Sequence, residues 1–219
     1  MRLALASTGL VAVALALAST QGQAESSVRL PAAKLVIANK APTEVAYFAG
    51  GCFWGVEAVF DRVKGVKSAE SGYAGGKVRN PSYDMVTTGT TGHAETVRVV
   101  FDPRVVSYAQ LMQVFFSVAT DPTQLNRQGP DTGPQYRNAL FPTTKAQTDQ
   151  ARAYISQLSK AKIYDRPIVT RLEPNSGFYR AEEYHQNYLV RHPNQPYIVI
   201  NDQPKVAALK RYFPGLWKA

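Results

Sequence analysis

Residues 3–18 are almost wholly apolar or small, and Arg2 is the one charge before them. Polar residues begin at Ser19, and Gly22-Gln23-Ala24 puts small side chains at a cleavage position. That pattern predicts a secretory signal peptide over residues 1–24, too short and too abruptly ended for a membrane span. An uncleaved anchor is the alternative. Residues 25–42 are polar, alanine-rich and without a period, which predicts an extended N-terminal arm. Regular patterning begins near residue 43 and continues to 219. An apolar run at 45–49 predicts a buried strand, and Val56-Glu57-Ala58-Val59-Phe60 the start of a helix. A second strand is expected at 65–73, a loop at 75–82, and the clearest strand at 95–101, stopped by Asp102-Pro103. Ser107 is placed to cap a helix carrying Leu111, Val114, Phe115 and Val118 on one face. Residues 121–134, rich in glycine and proline, predict a long loop, and 137–141 a short strand. Thr144 and Gln147 have capping-box spacing ahead of a helix that buries Ala151, Ile155 and Leu158. A strand at 168–172 and helices at 180–190 and 205–212 complete the pattern. Strands alternating with helices indicate an α/β or α+β fold with a mixed sheet.

The 219-residue chain carries a net charge of +9, and losing Arg2 with a signal peptide would leave +8. About 175 residues then remain from residue 43, enough for a single domain with its own core. The positive balance changes little in this picture. The basic residues are scattered, with Lys210-Arg211 the longest run, so the sequence is read as binding no nucleic acid. After signal cleavage no membrane attachment is expected, which makes the chain periplasmic or secreted, and a monomer. Cys52 is the only cysteine, so no internal disulfide can form, and the thiol is either buried and inert or exposed and functional. His93, His185 and His192 lack metal-ligand spacing, so no metal is expected.

The surroundings of Cys52 favour function. Gly50-Gly51 permits a sharp turn that leaves the sulfur uncovered. The expected helix N-terminus beyond it favours thiolate over thiol. Phe53 and Trp54 directly follow, which suggests the wall of a pocket, although a lone cysteine is commonly a small buried hydrophobe.

Gly50-Gly51-Cys52-Phe53-Trp54-Gly55 resembles the signature of type A peptide methionine sulfoxide reductases. Gly92-His93-Ala94-Glu95, Tyr83 in Asn80-Pro81-Ser82-Tyr83, and Tyr136 in Asp131-Thr132-Gly133-Pro134-Gln135-Tyr136-Arg137 match further motifs in the family's order. Residues 178–188 resemble its C-terminal signature. The resemblance implies a compact mixed-sheet roll with a ferredoxin-like core and surrounding helices. It also implies reduction of methionine-S-sulfoxide, free or in oxidised proteins, to methionine. Cys52 would attack sulfur, Glu95 would protonate the oxygen, and Tyr83 and Tyr136 would hold that oxygen. Phe53 and Trp54 would receive the methyl group, Asp131 would contact substrate, and His185 and Tyr188 would border the pocket. No bound cofactor is implied. Cys52 would end as a sulfenic acid, recycled by an external thiol such as a thioredoxin-like protein or dithiothreitol.

The sequence departs from the family in two places. Thr120-Asp121-Pro122 stands where many members have His-Asp-Pro, and residues 191–219 form an extension without the recycling cysteines many members carry. Three rival readings rest on the same residues: a Cys–His hydrolase or transferase, a thiol peroxidase, and a non-catalytic module that binds methionine sulfoxide.

Overall fold

A computed structural model describes residues 27–219. The expected signal peptide and the first two residues of the arm lie outside them. Strand β1 spans Glu44–Gly50, β2 Val66–Ala74 and β3 Ala94–Phe101. Each alternates or fills with Val, Ala and aromatic residues, the composition of a strand covered by other layers. Short strands β6 (Asn138–Leu140), β7 (Arg171–Leu172) and β8 (Phe178–Arg180) complete a six-stranded mixed sheet in the order β7-β6-β1-β3-β2-β8. Only β6 and β7 run parallel. The register sets Tyr73 opposite Glu95, and Phe48 between Val97 and Leu140.

Helix α1, Phe53–Asp61, follows β1 after the turn at Gly51-Cys52 and packs against β2 and β3. Phe48 meets Phe60 and Phe115 at ring-centroid distances of 4.6 and 5.2 Å, and all three are fully buried. Each such ring stabilises the fold by about 1.5–3 kcal/mol relative to exposure. Helix α2 is the single turn Tyr83–Thr87. Helix α3, Tyr108–Val114, starts from a full capping box of Ser107 and Gln110 and relaxes into a π-helical turn at Phe115–Ala119. Strands β4 (Arg127–Gln128) and β5 (Asp131–Thr132) pair as a small hairpin within the expected 121–134 loop, and a 3-10 turn at Pro134–Tyr136 follows. Helix α4 is Lys145–Lys160. Helix α5 is Tyr188–Arg191, and α6, Gln203–Tyr212, continues a π-helical turn at Ile198–Asp202.

Three local expectations are corrected. Residues 180–190 are no continuous helix: they hold the end of β8, a 3-10 turn at Glu183–His185 and the start of α5. Bonds to distant residues hold the segment instead. The Gln186 side chain accepts the N–H of Ser71 and donates to its carbonyl, and the Glu57 carboxylate accepts Asn187 N–H at 3.1 Å. Strand structure at 168–172 is confined to Arg171–Leu172. Gln147 does not close a box on Thr144: it accepts Thr143 N–H and donates to Glu44 and Val45.

Residues 27–43 form no helix or strand, yet they are tied down by side chains. Gln113 donates to Leu30 carbonyl, Tyr154 hydroxyl to Pro31 and Gln157 amide to Ala32, while Leu30 is buried. No helix among the described residues is long and apolar enough to cross a membrane.

Candidate active site

The turn from β1 into α1 builds the centre. Gly51 adopts φ +91°, and a Cβ there would overlap Gln128 Cβ. A left-handed conformation and a close neighbour both require glycine at that point. Cys52 follows as the N-cap of α1. The sulfur is not uncovered, as the sequence suggested: Cys52 is only 7% exposed. Nor does the helix end win the contest for its proton. Burial, then the carboxylates of Glu95, Asp202 and Asp131, push the thiol well above its ordinary range, and a backbone N–H of Trp54 only partly opposes them.

A cavity of about 280 Å³ opens beside the sulfur, lined by Cys52, Phe53, Trp54, Tyr83, Glu95, Asp131, Tyr136, Gln195 and Tyr197. Seven of these nine were expected from the sequence, and they arrive from five elements. Phe53 and Trp54 are the first residues of α1, Tyr83 the first of α2, and Glu95 the second of β3. Asp131 comes from the β4–β5 hairpin, and Tyr136 ends the 3-10 turn after it. Glu95 accepts the Phe53 N–H at 3.0 Å. Its carboxyl is 2% exposed, and burial pushes it up to about 8, against that hydrogen bond and with help from Asp131 and Asp202. Tyr83 and Tyr136 are also raised, burial first, so both phenols keep their protons at neutral pH.

His185 and Tyr188 do not line this cavity. They support its wall. Trp54 Nε1–H donates to His185 Nδ1 at 3.1 Å, so the neutral imidazole carries its proton on Nε2. Tyr188 stacks on Trp54 with centroids 3.8 Å apart and planes within 6°. The His185 ring also meets Phe53 and Tyr83 at 5.0 and 4.3 Å. Burial lowers the His185 pKa, which fits a neutral spacer. Tyr83 is fixed from behind as well: its N–H donates to Glu182 Oε1 at 2.8 Å, and Tyr73 hydroxyl donates to Glu182 Oε2 at 2.8 Å.

Sequence reasoning missed Gln195 and Tyr197. The Tyr197 hydroxyl donates to Asp131 and its ring stands edge-on to Trp54. Residues 195–205 fold back over α1, and the Asp202 carboxylate sits so close to Gly55 that a Cβ there would overlap it. Lys205 pairs with Asp202 at 3.5 Å. The signal available in the sequence was Tyr197 at the head of the apolar run Tyr197-Ile198-Val199-Ile200 in the tail, but no spacing tied it to Asp131. Thr120, in place of the family's usual histidine, donates to Gln128 Oε1 at 2.6 Å and accepts from Asn138 Nδ2. It links the hairpin to β6 directly beneath Gly50. Among the described residues no group of three His, Cys, Asp or Glu side chains is arranged to hold a metal ion.

The family model for peptide methionine sulfoxide reductase matches residues 44–215. The peptide methionine sulfoxide reductase MsrA 2 of Mesorhizobium japonicum is 56% identical over 175 residues, covering 80% of this chain and 90% of that protein. Among solved structures, reduced Mxr1 from Saccharomyces cerevisiae superposes with a TM-score of 0.63 at 34% identity, covering 74% of this chain and 92% of that one. Methionine sulfoxide reductase A of Corynebacterium diphtheriae gives a TM-score of 0.60 at 35% identity, with 72% and 78% covered.

Proposed function

The chain belongs to the peptide methionine sulfoxide reductase A family and reduces methionine sulfoxide to methionine, and from that premise we propose how its own residues carry the reaction. The observation that carries the proposal is Glu95, a buried carboxyl pushed up to about 8, lining one cavity with the Cys52 sulfur and two protonated phenols. The reactive form has one proton on Glu95 and none on Cys52. The thiolate attacks the sulfoxide sulfur, forming a sulfur–sulfur bond. Tyr83 and Tyr136 donate to the oxygen, and Glu95 transfers its proton there as negative charge develops. The oxygen passes to the Cys52 sulfur as its bond to the methionine sulfur and the new sulfur–sulfur bond both break, methionine leaves as the thioether, and the proton from Glu95 remains on the new sulfenic acid. One sulfoxide is reduced by two electrons and one thiol oxidised by two, with no other group required.

The methyl group sits against Phe53 and Trp54, and Asp131, held by Tyr197, faces the rest of the substrate. Fixing methyl and oxygen on opposite sides makes the pocket chiral. Family likeness assigns it the S epimer. Substrates are free or protein-bound methionine sulfoxide, and an external thiol, thioredoxin-like in the cell, returns Cys52 to the thiol. Arg2, the apolar run at 3–18 and the polar break from Ser19 support export; the arm and a single catalytic domain would follow, acting as a monomer in the periplasm or outside the cell. The test is turnover of racemic methionine sulfoxide with dithiothreitol by the parent and by Cys52→Ser. The parent is expected to stop near half conversion and the variant to be inactive while folded. Complete consumption of both epimers contradicts the pocket assignment, and turnover by Cys52→Ser contradicts the nucleophile.

A further inference from the structure

Glu95 is the second residue of β3, just after a turn at Gly92, and Tyr136 ends the 3-10 turn Pro134–Tyr136; one buried side chain joins the two turns. Arg137 is 6% exposed and immediately follows Tyr136. Its Nη1 donates to the Pro134 carbonyl at 3.1 Å, inside the 3-10 turn that ends in Tyr136. Its Nη2 donates to the Gly92 carbonyl at 3.1 Å, three residues before Glu95. The remaining edge of the guanidinium forms a two-pronged pair with Glu173, Nε to Oε1 and Nη2 to Oε2, both at 2.8 Å. Glu173 is itself anchored, since its N–H donates to the Leu140 carbonyl of β6 at 3.0 Å.

Neither carbonyl lies in a strand ladder, so the guanidinium supplies a bond that the sheet does not. Its planar fork holds three partners at fixed angles, which a flexible ammonium does not reproduce. Gly92 has φ +76°, and Gly133, next to Pro134, has φ +140°. Both turns therefore contain a residue with wide backbone freedom, and a rigid cross-link has most effect where the chain is otherwise soft.

We infer that Arg137 is a positioning residue for the reduction: by clamping the Gly92 and Pro134 carbonyls to Glu173, it fixes the distance between the proton donor Glu95 and the oxygen-holding Tyr136. The inference rests on the roles proposed above for those two residues. Misplacing a catalytic group by about 1 Å costs up to ~10²-fold in rate. The charge of Arg137 does not touch substrate, so its loss is expected in kcat rather than KM.

The test is a mutant cycle on the full chain. Arg137→Lys is expected to lower kcat by roughly 10–100-fold with KM held within about threefold. Glu173→Gln leaves the guanidinium in place but loosens its anchor, and an intermediate loss is expected. It keeps the test open should an Arg137 variant fail to fold. In the Tyr136→Phe background, Arg137→Lys is expected to cost several-fold less than in the parent, because both changes remove the same placed hydroxyl. A purely structural arginine would lower stability yet leave the two losses multiplicative. Multiplicative losses, or kcat within about twofold of the parent for both Arg137→Lys and Glu173→Gln, overturn the inference. Tyr136→Phe and Glu95→Gln alone belong to the same series. If both run at the parent rate, the proposed catalytic roles fall and this inference falls with them; if they lose rate while Arg137→Lys does not, only the positioning role falls.

Discussion

Cys52 and Glu95 compete for one proton, and the environment raises both. The cause is shared: each is almost fully buried, and Asp131 and Asp202 face both. In the free enzyme the first ionisation of the pair falls near 8 and resides mostly on Glu95, while the reactive tautomer, with the proton moved to Glu95 and off Cys52, is a fixed minor share of the singly ionised form. The value of kcat/KM is therefore expected to rise with pH through about 8 and to fall only well above it. Glu95→Gln removes that ionisation, so its residual rate, roughly 10²–10⁴-fold lower, has no rise near 8. A rise near 8 that survives in Glu95→Gln would assign it to another group. The same shift has a stability consequence of definite sign. Glu95 binds its proton more tightly folded, at about 8, than at the ordinary value of 4.5. Its contribution is complete below about 4.5 and is lost progressively as pH rises to about 8, at about 1.4 kcal/mol per unit. Glu95→Gln escapes this loss, so its unfolding midpoint is expected to gain on the parent's between pH 5 and 8. Glu57, raised to about 7, acts in the same direction in both proteins and cancels. A gap that does not widen with pH would mean Glu95 titrates near its ordinary value.

Elements whose own residues carried the pattern were legible. The strand expected at 95–101 is β3, the run at 45–49 is the heart of β1, and Ser107 caps α3 as its spacing indicated. Elements decided by distant partners were not. The helix-like 180–190 stretch is broken by bonds to Ser71 and Glu57, more than a hundred residues earlier. The β4–β5 hairpin is two residues per strand, below the length at which alternation shows. Among site residues, motif matches located seven of the nine cavity-lining side chains. His185 and Tyr188 proved to brace Trp54 rather than line the cavity, because sequence distance says nothing of which ring stands in front. Tyr197 was invisible for the same reason, since its partner Asp131 lies 66 residues away. The docking of the tail on α1 can be tested at Gly55. In an isolated helix Gly→Ala is favourable by about 1 kcal/mol. Here a Cβ would overlap the Asp202 carboxylate, so Gly55→Ala is expected to destabilise the protein by about 1–3 kcal/mol in denaturant unfolding. A stabilised Gly55→Ala protein would mean that the Asp202 segment does not press on α1 in solution.

At the scale of the whole molecule, the decisive fact is a single sulfur capable of thiol chemistry. Cys52 is the only cysteine in 219 residues, and it is 7% exposed at the base of a cavity partly closed by residues of the C-terminal tail. After one turnover the sulfenic acid has no thiol within the chain to condense with, so recycling depends on a thiol that comes from outside. In the proposed cycle that thiol attacks Cys52 and forms a mixed disulfide, which a second thiol resolves. Without reductant, the expected yield is one methionine per enzyme, with the Cys52 thiol lost in the same ratio. Intact mass then shows one added oxygen, and dimedone labels Cys52. With dithiothreitol the same sample resumes turnover and the added mass disappears. Release of several methionines per enzyme without any thiol would require an electron source other than Cys52. Unmodified Cys52 after release of one methionine would remove the sulfenic acid from the mechanism.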